Sequence, residues 1–515
     1  MKRVSIVLLL PILLFFYLPL QAQFKEIARS VAFDEPETGD AKIFLLSNGS
    51  TCLFLRSTNN ELQYRLFDPS HKEIISTGLN VQKMNDATYI QGPFEIKRNI
   101  VLFFTYRSKN AVDLKRVTID AATGKMLEDV LVLTVGAGGF GVYKDPESDS
   151  YAISKTDTKS KTEEENTFTV YDGDHKASSP VSCNGPANDA ANYFPQGEVL
   201  LVNGTVYAFG IQRPKRNASY VIKGPKYMAV WKIGSPAFEY IPLNNIPEDL
   251  VYSRAIAKYN KQSNRIFFMI DDEDVRGTTK EKVFFNSIDA GSKKVTAIEL
   301  KTADKISVPY KERFGKKKEF TGRPLDFHMN DDGSFAMVYQ DLFIDESGKN
   351  VDIFIGHVLV ANYDSKGICT STYILPKNHV IHNSNWVGVL SFHNREGNPF
   401  GFFGKGNQFK LIKYINGPGK KYLLFNDIEQ NNEVKNDKYA MMTGVSMSDA
   451  FFFRLTGDAL IPKREYVFDA GAARHTFINF AVCVYDKKSN VLVTLISDKN
   501  SVTDRMVNMV WLQPQ

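Results

Sequence analysis

A chain of 515 residues that is 43% hydrophobic and 12% aromatic has apolar surface enough for a large packed core, which excludes intrinsic disorder. The net charge of +5 includes Lys2 and Arg3 and is close to balance over this length, so nothing in the charge points to nucleic acid as a partner. Phenylalanine (37) and tyrosine (23) dominate the aromatics, and both favour half-buried pleated surfaces, which leans the composition toward sheet.

Lys2 and Arg3 precede a charge-free run from Val4 to Leu20, and the stretch closes on Gln21, Ala22 and Gln23. That is the layout of a cleavable secretory signal peptide over residues 1–23, with cleavage after Ala22 or Gln23. A retained anchor is the rival. The run is at the lower limit for a bilayer span, Pro11 and Pro19 interrupt it, and no basic stop-transfer cluster follows. The first cysteine is Cys52, so no lipid attachment site stands at its end. No later segment approaches a span. The expectation is an exported protein, periplasmic or extracellular, whose mature part is residues 24–515 as a single domain without a membrane span.

From Lys42 the chain runs KIFLLSNGSTCLFLRSTNNELQYRLFDPSHKEI, with two apolar runs flanking Asn48-Gly49, a strong hairpin signal. A third run ends at Asp68 in a polar turn. Similar endings recur at Asp120, Asp172, Asp289, Asp364 and Asp486, each an aspartate behind an aromatic or aliphatic residue. Aspartate suits this place because its side chain bonds backbone amides two residues on. Asp68, Asp120 and Asp172 are 52 residues apart in turn, and later gaps of 117 and 122 are about two units each. VWKIGSPAFEY at 230–240 and KYINGPGKKYLLF at 413–425 are degenerate members, and Asn203-Gly204 and Asp332-Gly333 mark further hairpins.

A period of this size, with three or four short strands per unit, is the signature of radial repetition. Stacking the units buries their faces, and closing the ring leaves only short edges. The fold class expected is therefore all-β, a β-propeller of seven or eight blades. The alternative is two β-sandwich domains divided near residues 300–325. The best helical stretch is EDLVYSRAIAKYN at 248–260.

Four leads toward chemistry each meet a plainer explanation. VGAGGFG at 135–141 follows an apolar run but precedes no helix, so it suits a closely packed turn rather than a phosphate loop. His379 and His382 form an H-x-x-H pair, with Trp386 and His393 downstream. Pro376 and the Asn-Ser-Asn behind them argue for a polar loop, and in an extended chain positions three apart face opposite ways. Asp271, Asp272, Glu273 and Asp274 lack calcium-loop spacing, which leaves an exposed hairpin loop. Lys311, Arg313, Lys316, Lys317 and Lys318 fit a solvated loop. Cys52, Cys183, Cys369 and Cys483 show no metal-ligand spacing; buried free thiols are expected, and the alternative is a disulfide between Cys52 and Cys483, whose strands a closed ring could bring side by side. No metal, cofactor or catalytic set is called for, since no nucleophile motif or singled-out carboxylate pair is present.

With its LPLQAQ leader end, its LSNGST hairpin and its Tyr-Asp and Phe-Asp turn endings, the chain resembles the uncharacterised secreted β-propeller-like proteins of Bacteroidetes-type bacteria. The resemblance implies export and a repeat fold, and no activity. The functional expectation is a non-catalytic binding protein whose partner is a glycan, a peptide or an envelope protein. The alternative is a hydrolase or lyase acting on extracellular polysaccharide.

Overall fold

The computed structural model describes residues 24–515 except 36–37, 58–60, 80–86, 161–162, 187–192, 213–223, 251, 273–282, 302, 316–319, 321, 346–351, 383–400, 405–408, 433–437, 458–459, 469–474 and 498–505. The chain opens with β1 (Phe24–Arg29) and β2 (Phe33–Asp34) and then builds blades in order. Blade 1 is β3 (Thr38–Leu45), β4 (Thr51–Ser57), β5 (Leu62–Phe67) and β6 (Glu73–Gly78). Blade 2 is β7 (Ala87–Ile96), β8 (Asn99–Arg107), β9 (Val112–Asp120) and β10 (Met126–Val135). Blade 3 is β11 (Gly138–Lys144), β12 (Tyr151–Ser160), β13 (Glu163–Tyr171) and β14 (Val181–Ser182). Blade 4 is β15 (Tyr193–Val202), β16 (Thr205–Gln212), β17 (Lys226–Lys232) and β18 (Glu239–Pro242).

Blade 5 is β19 (Tyr252–Asn260), β20 (Arg265–Asp272), β21 (Val283–Asp289) and β22 (Val295–Ile298), and helix α1 (Ala303–Phe314) follows it. Blade 6 is β23 (Arg323–Met329), β24 (Phe335–Asp345), β25 (Asp352–Tyr363) and β26 (Cys369–Leu375), with β27 (His379–Ile381) added beside β25. After β28 (Gly401–Gly404), blade 7 is β29 (Ile412–Gly417), β30 (Lys420–Ile428), β31 (Ser448–Arg454) and β32 (Arg464–Tyr466). Blade 8 takes β33 (Phe477–Asp486), β34 (Val491–Ser497) and β35 (Met506–Pro514) from the end of the chain and β1 from its beginning. The protein is an eight-bladed β-propeller.

The middle strands explain why the aromatic content is so high. A strand held between neighbouring blades is covered on both faces, and β8, NIVLFFTYR, is buried from Ile100 to Tyr106. Each of the eight seams has its own apolar cluster. Phe54 meets Leu102 between blades 1 and 2, Phe103 meets Tyr151 between 2 and 3, and Phe168 meets Trp231 between 3 and 4. Phe209 meets Phe268 between blades 4 and 5, Phe285 meets Phe335 between 5 and 6, and Val360 meets Phe425 between 6 and 7. Phe452 with Leu492 and Leu53 with Trp511 fill the last two seams.

Ring closure rests on β1, which pairs antiparallel with β35 from Phe24↔Pro514 to Arg29↔Val510. Phe24 is buried against Tyr422 and Phe452, with ring centroids 5.4 and 5.1 Å away. Burial of such a side chain is worth about 1.5–3 kcal/mol. Trp511 in turn donates its Nε1–H to Thr51 Oγ1 of blade 1 at 3.0 Å.

Three expectations need correction. Residues 248–260 do not form a helix: Tyr252–Asn260 are the innermost strand of blade 5, where Ala255 and Ile256 are buried and pairing with β20 overrides helical propensity. The stretch near 300–325 is no linker between sandwiches. It carries α1, whose Tyr310 and Phe314 join the core between blades 5 and 6. Lys311 and Arg313 therefore stand on a helix rather than in a loop, while Lys316, Lys317 and Lys318 lie outside the described residues. The signal peptide expected over 1–23 also lies outside them. None of the four cysteines is in a disulfide, and all are buried. Cys52 and Cys483 sit in adjoining blades, but Cys52 packs toward blade 2 and Cys483 toward blade 7.

Candidate functional site

If the strands of a blade are lettered A to D from the channel outward, A–B and C–D turns lie on one face of the ring and B–C and D–A connections on the other. The first face is built mostly from short turns. Asp68 accepts the amides of Ser70 and Lys72, Asp120 those of Ala122 and Thr123, and Asp289 those of Gly291 and Ser292. Asp172 and Asp364 do the same at their own C–D turns. Hydrogen bonds from the Ser70 and Thr123 side chains, and from the Ser292 amide, hold Asp68, Asp120 and Asp289 below the ordinary carboxylate value. Asp486 and the 413–425 segment form A–B turns instead, so the repeat unit in the last two blades is offset from the aspartate count.

The second face carries the long connections, above all 299–322 with α1 and 376–411 between blades 6 and 7. Within the 376–411 connection, β28 reaches back to the channel side of blade 1 and pairs with β3, Gly401↔Ala41 through Gly404↔Thr38. At its root, on the seam between blades 6 and 7, stands a buried charged cluster: Lys377, His379, Lys410, Asp427 and Arg464.

The local chain explains each position. β26 stops before Pro376, and the amide of Lys377 donates to His357 Nδ1 at 3.1 Å. β27 then returns along β25 with His379 opposite Ile355, which sets the His379 ring edge-on to Phe425 at 6.2 Å. Lys377 Nζ donates to the Lys410 carbonyl at 2.5 Å. Lys410 Nζ donates to the carbonyls of Val380 and Thr443 at 2.6 and 3.0 Å. Asp427, near the end of β30, lies 2.5 Å from Arg464 Nη2 and 3.5 Å from His379 Nε2, and it accepts the Ile428 amide and Asn431 Nδ2. Arg464 lies over the Phe451 ring at 4.1 Å. Across the β30–β31 ladder Asp427 stands opposite Asp449, which takes His475 Nδ1 at 2.9 Å and the Thr476 amide at 3.0 Å.

Burial sets the electrostatics here. Burial first, then Lys377, pushes His379 down to about 4, against the pull of Asp427. Burial lowers Lys377 to about 7, with Lys410 adding to the effect and Asp427 opposing it. Lys410 is lowered to about 8 by burial. Burial works against the charge of Asp427, yet His379 and Arg464 beside it hold it below its ordinary value.

A second group stitches the inner strands of blades 5, 6 and 7. Lys258 Nζ is 2.9 Å from Asp326, whose other neighbour is His328 Nε2 at 3.7 Å, and the His328 ring stacks on Tyr414 with centroids 4.3 Å apart. Asn260 donates to the Asn330 carbonyl, and Asn416 donates to Asn330 Oδ1. Burial takes His328 down to about 3 against Asp326, so the ring is neutral at ordinary pH. Burial opposes ionisation of Asp326, but Lys258 and His328 bring it to about 2. The pair is spent on holding blades together.

The sequence leads separate in the structure. His379 is wholly buried in a strand, not in a polar loop, whereas His382 is 52% exposed and takes Asp352 at 3.1 Å. Trp386 and His393 lie outside the described residues. Among the described residues, no three of His, Cys, Asp and Glu converge as a metal would require. The glycines at 135–141 are a tight start to β11: Gly138 has φ +124°, and a Cβ there would lie 1.9 Å from the Thr156 carbonyl oxygen. Asp271 and Asp272 end β20, while Glu273 and Asp274 lie outside the described residues. Lys377, Lys410, Asp427 and Arg464 carried no signal in the sequence, because only the stacking of blade 7 on blade 6 makes them neighbours. Among the described residues no helix is long and apolar enough to cross a membrane.

No family model matches this chain, and no curated protein matches it in sequence. Its fold is similar to solved structures. One is a eukaryotic initiation factor, at TM-score 0.39 and 10% identity over 93% of this chain and 84% of the other. Another is an α-L-arabinofuranosidase from Fusarium graminearum, at TM-score 0.34 and 11% identity over 65% of this chain and 98% of the other. A protein of unknown function from Bacteroides caccae is similar at TM-score 0.28 and 10% identity over 65% of this chain and 92% of the other. All three TM-scores are below 0.5, and the eight-bladed architecture stands on the strand pairing alone.

Proposed function

We propose that this chain is an exported binding protein of the periplasm or cell exterior, and that the face bearing the B–C and D–A connections is its contact surface. The observation that carries this reading is the asymmetry of the ring. One face is closed mostly by short turns whose aspartates are spent on their own backbone amides, and the other presents the longest connections, including α1 and β28. Loops positioned by a rigid scaffold are where recognition is placed. The partner class is a glycan, a peptide or an envelope protein. Export fits the leader over 1–23, and the strand that closes the ring begins at Phe24, just beyond the expected cleavage point. Mass spectrometry of the protein from a cell-envelope fraction should find a chain beginning at Gln23 or Phe24; a cytoplasmic chain with residue 1 intact would refute export.

The alternative, a hydrolase or lyase acting on extracellular polysaccharide, draws on one feature: Asp427 and Asp449 stand side by side with Arg464, His379 and His475 around them. Binding is favoured over it because Asp427 is wholly buried and its oxygens are engaged by Arg464, Ile428 and Asn431, which leaves a substrate no access to it. A thermal-shift screen of residues 24–515 against oligosaccharides, cell-wall fragments, peptides and divalent metals tests both. A ligand at a hundred times its Kd should add about 2.7 kcal/mol of stability. A hit without turnover supports binding, turnover of a hit supports the enzyme, and no shift with any member overturns a small-ligand role.

A further inference from the structure

Three buried lysines on the long-loop face differ in how far their protons are satisfied. Lys226, Lys377 and Lys410 are 2, 1 and 4% exposed. Each ammonium carries three protons and accepts none. Lys226 Nζ donates to three carbonyls, those of Pro247, Glu248 and Leu250. Lys410 Nζ finds two, those of Val380 and Thr443, and Lys377 Nζ finds one, that of Lys410. One proton of Lys410 and two of Lys377 thus have no acceptor among the described residues, in the seam between blades 6 and 7.

The charges are as unbalanced as the bonds. The third cation of this seam, Arg464, is matched by Asp427, 2.5 Å away and wholly buried. Neither lysine has a carboxylate within ion-pair distance among the described residues. Asp427 acts on Lys377 only from further off, and it is already engaged by Arg464, Ile428 and Asn431. The Phe425 ring stands 5.5 Å from Lys377 Nζ, but a ring face cancels little of a full charge. Lys410 is close enough to press Lys377 toward its neutral form, and both press on His379, which is itself neutral and supplies no counter-charge. Two neighbouring ammoniums in a closed seam are costly to keep charged without a partner.

We propose that Lys377 and Lys410 form a binding site for a small monovalent anion of chloride size, with their spare N–H groups as its donors. The charge calls for an anion rather than a water. A water would accept the protons and leave both ammoniums uncancelled, whereas an anion does both at once. The burial of the two lysines calls for a small ion, because neither reaches the surface where a larger group could extend into solvent. Lys226 is the control within the same molecule: its three carbonyls complete its shell, and no anion is expected there. The site lies inside the seam and needs no partner on the long-loop face, so it stands or falls separately from the binding reading.

Urea unfolding of the purified protein in sodium chloride and in sodium gluconate of equal ionic strength tests it. Chloride should raise the folded-to-unfolded ratio, by about a hundredfold at a hundred times its Kd, and gluconate should not. In Lys377→Met the chloride gain should vanish, and in Lys410→Met it should vanish as well, so one variant that folds poorly does not spoil the test. Crystals grown in bromide should show an anomalous peak in contact with both Nζ atoms, and none at Lys226. Equal stability in the two salts, a chloride gain that survives in either folded variant, or crystals with water and no bromide between the two lysines would overturn the site.

Discussion

The two faces of the ring hold their connections by different means. On the turn face the aspartates of the C–D turns accept amides no more than four residues away, as Asp68 does from Ser70 and Lys72, and ties between blades, such as those of Asn260 and Asn416 to Asn330, are added to turns already closed locally. On the long-loop face the bonds are made over distance. Lys226 Nζ gathers the carbonyls of Pro247, Glu248 and Leu250, and Lys410 gathers those of Val380 and Thr443. Burial lowers Lys226 to about 8, as it lowers Lys410. A buried ammonium is a costly way to pin a loop unless its protons find acceptors, and carbonyls supply three at Lys226 and two at Lys410. The difference teaches that local turn chemistry shapes one face while the packing of blade on blade shapes the other.

The largest effect should come from breaking the charge balance of the long-loop face. In Asp427→Asn the side chain keeps its shape, but Arg464 loses its counter-charge inside the seam. Removal of one partner from a buried pair costs about 3–5 kcal/mol. Urea unfolding should show a loss of that order. A loss below about 1 kcal/mol would mean that the seam is held by its apolar residues alone.

Acid should act on the same cluster with a slightly smaller effect. His379 is held near 4 in the folded protein against an ordinary 6.5, so the unfolded chain takes the proton first. Its contribution is complete above pH 6.5 and is lost as pH falls toward 4, by up to about 3 kcal/mol. Lys377 is lowered from 10.5 to about 7, so the unfolded chain also holds the extra proton from pH 7 to 10.5, and stability rises with pH across that range. Both slopes have the same sign. Urea midpoints measured from pH 4 to 9 check them, and in His379→Gln the acid limb should flatten.

The turn face should respond less and only locally. Asp120→Ala removes the acceptor of two amides at the C–D turn of blade 2, at a cost of about 1 kcal/mol, since the carboxylate is solvated and screened. Faster exchange confined to 120–126 would show that the bonds of Asp120 act locally, although Tyr64 of blade 1 also donates to the Gly124 carbonyl. Loss of protection in blades 1 and 3 as well would show that the two faces are not so different.

That contrast also explains what was legible in the sequence. Asn48-Gly49, Asn203-Gly204, Asp332-Gly333 and the aspartates at 68, 120, 172, 289 and 364 mark real turns because their chemistry is complete within a few residues. From them the all-β ring follows, and its count of eight blades lies within the expected range. Tyr252–Asn260 escaped because a strand in the first position of its blade takes its conformation from β20, not from its own propensities. The blade 6–7 cluster escaped for a stronger reason. Nothing within LPKNHVIH marks Lys377 or His379 as buried, and Asp427, Arg464 and Lys410 become their neighbours only when two blades stack.

The smallest effect separates burial from position. His382 is three residues beyond His379, on the same long-loop face, and it also has a carboxylate partner, Asp352 at 3.1 Å. It is 52% exposed, so water and salt already screen the pair. His382→Ala should change stability by no more than about 0.5 kcal/mol, because exposed ion pairs are worth little. Since the partner chemistry matches that of His379 and the distance along the chain is so short, the remaining variable is burial. A loss from His382→Ala as large as that from Asp427→Asn would place the strength of this face in its surface charges, and the account of the seam as a buried cluster would fail with it.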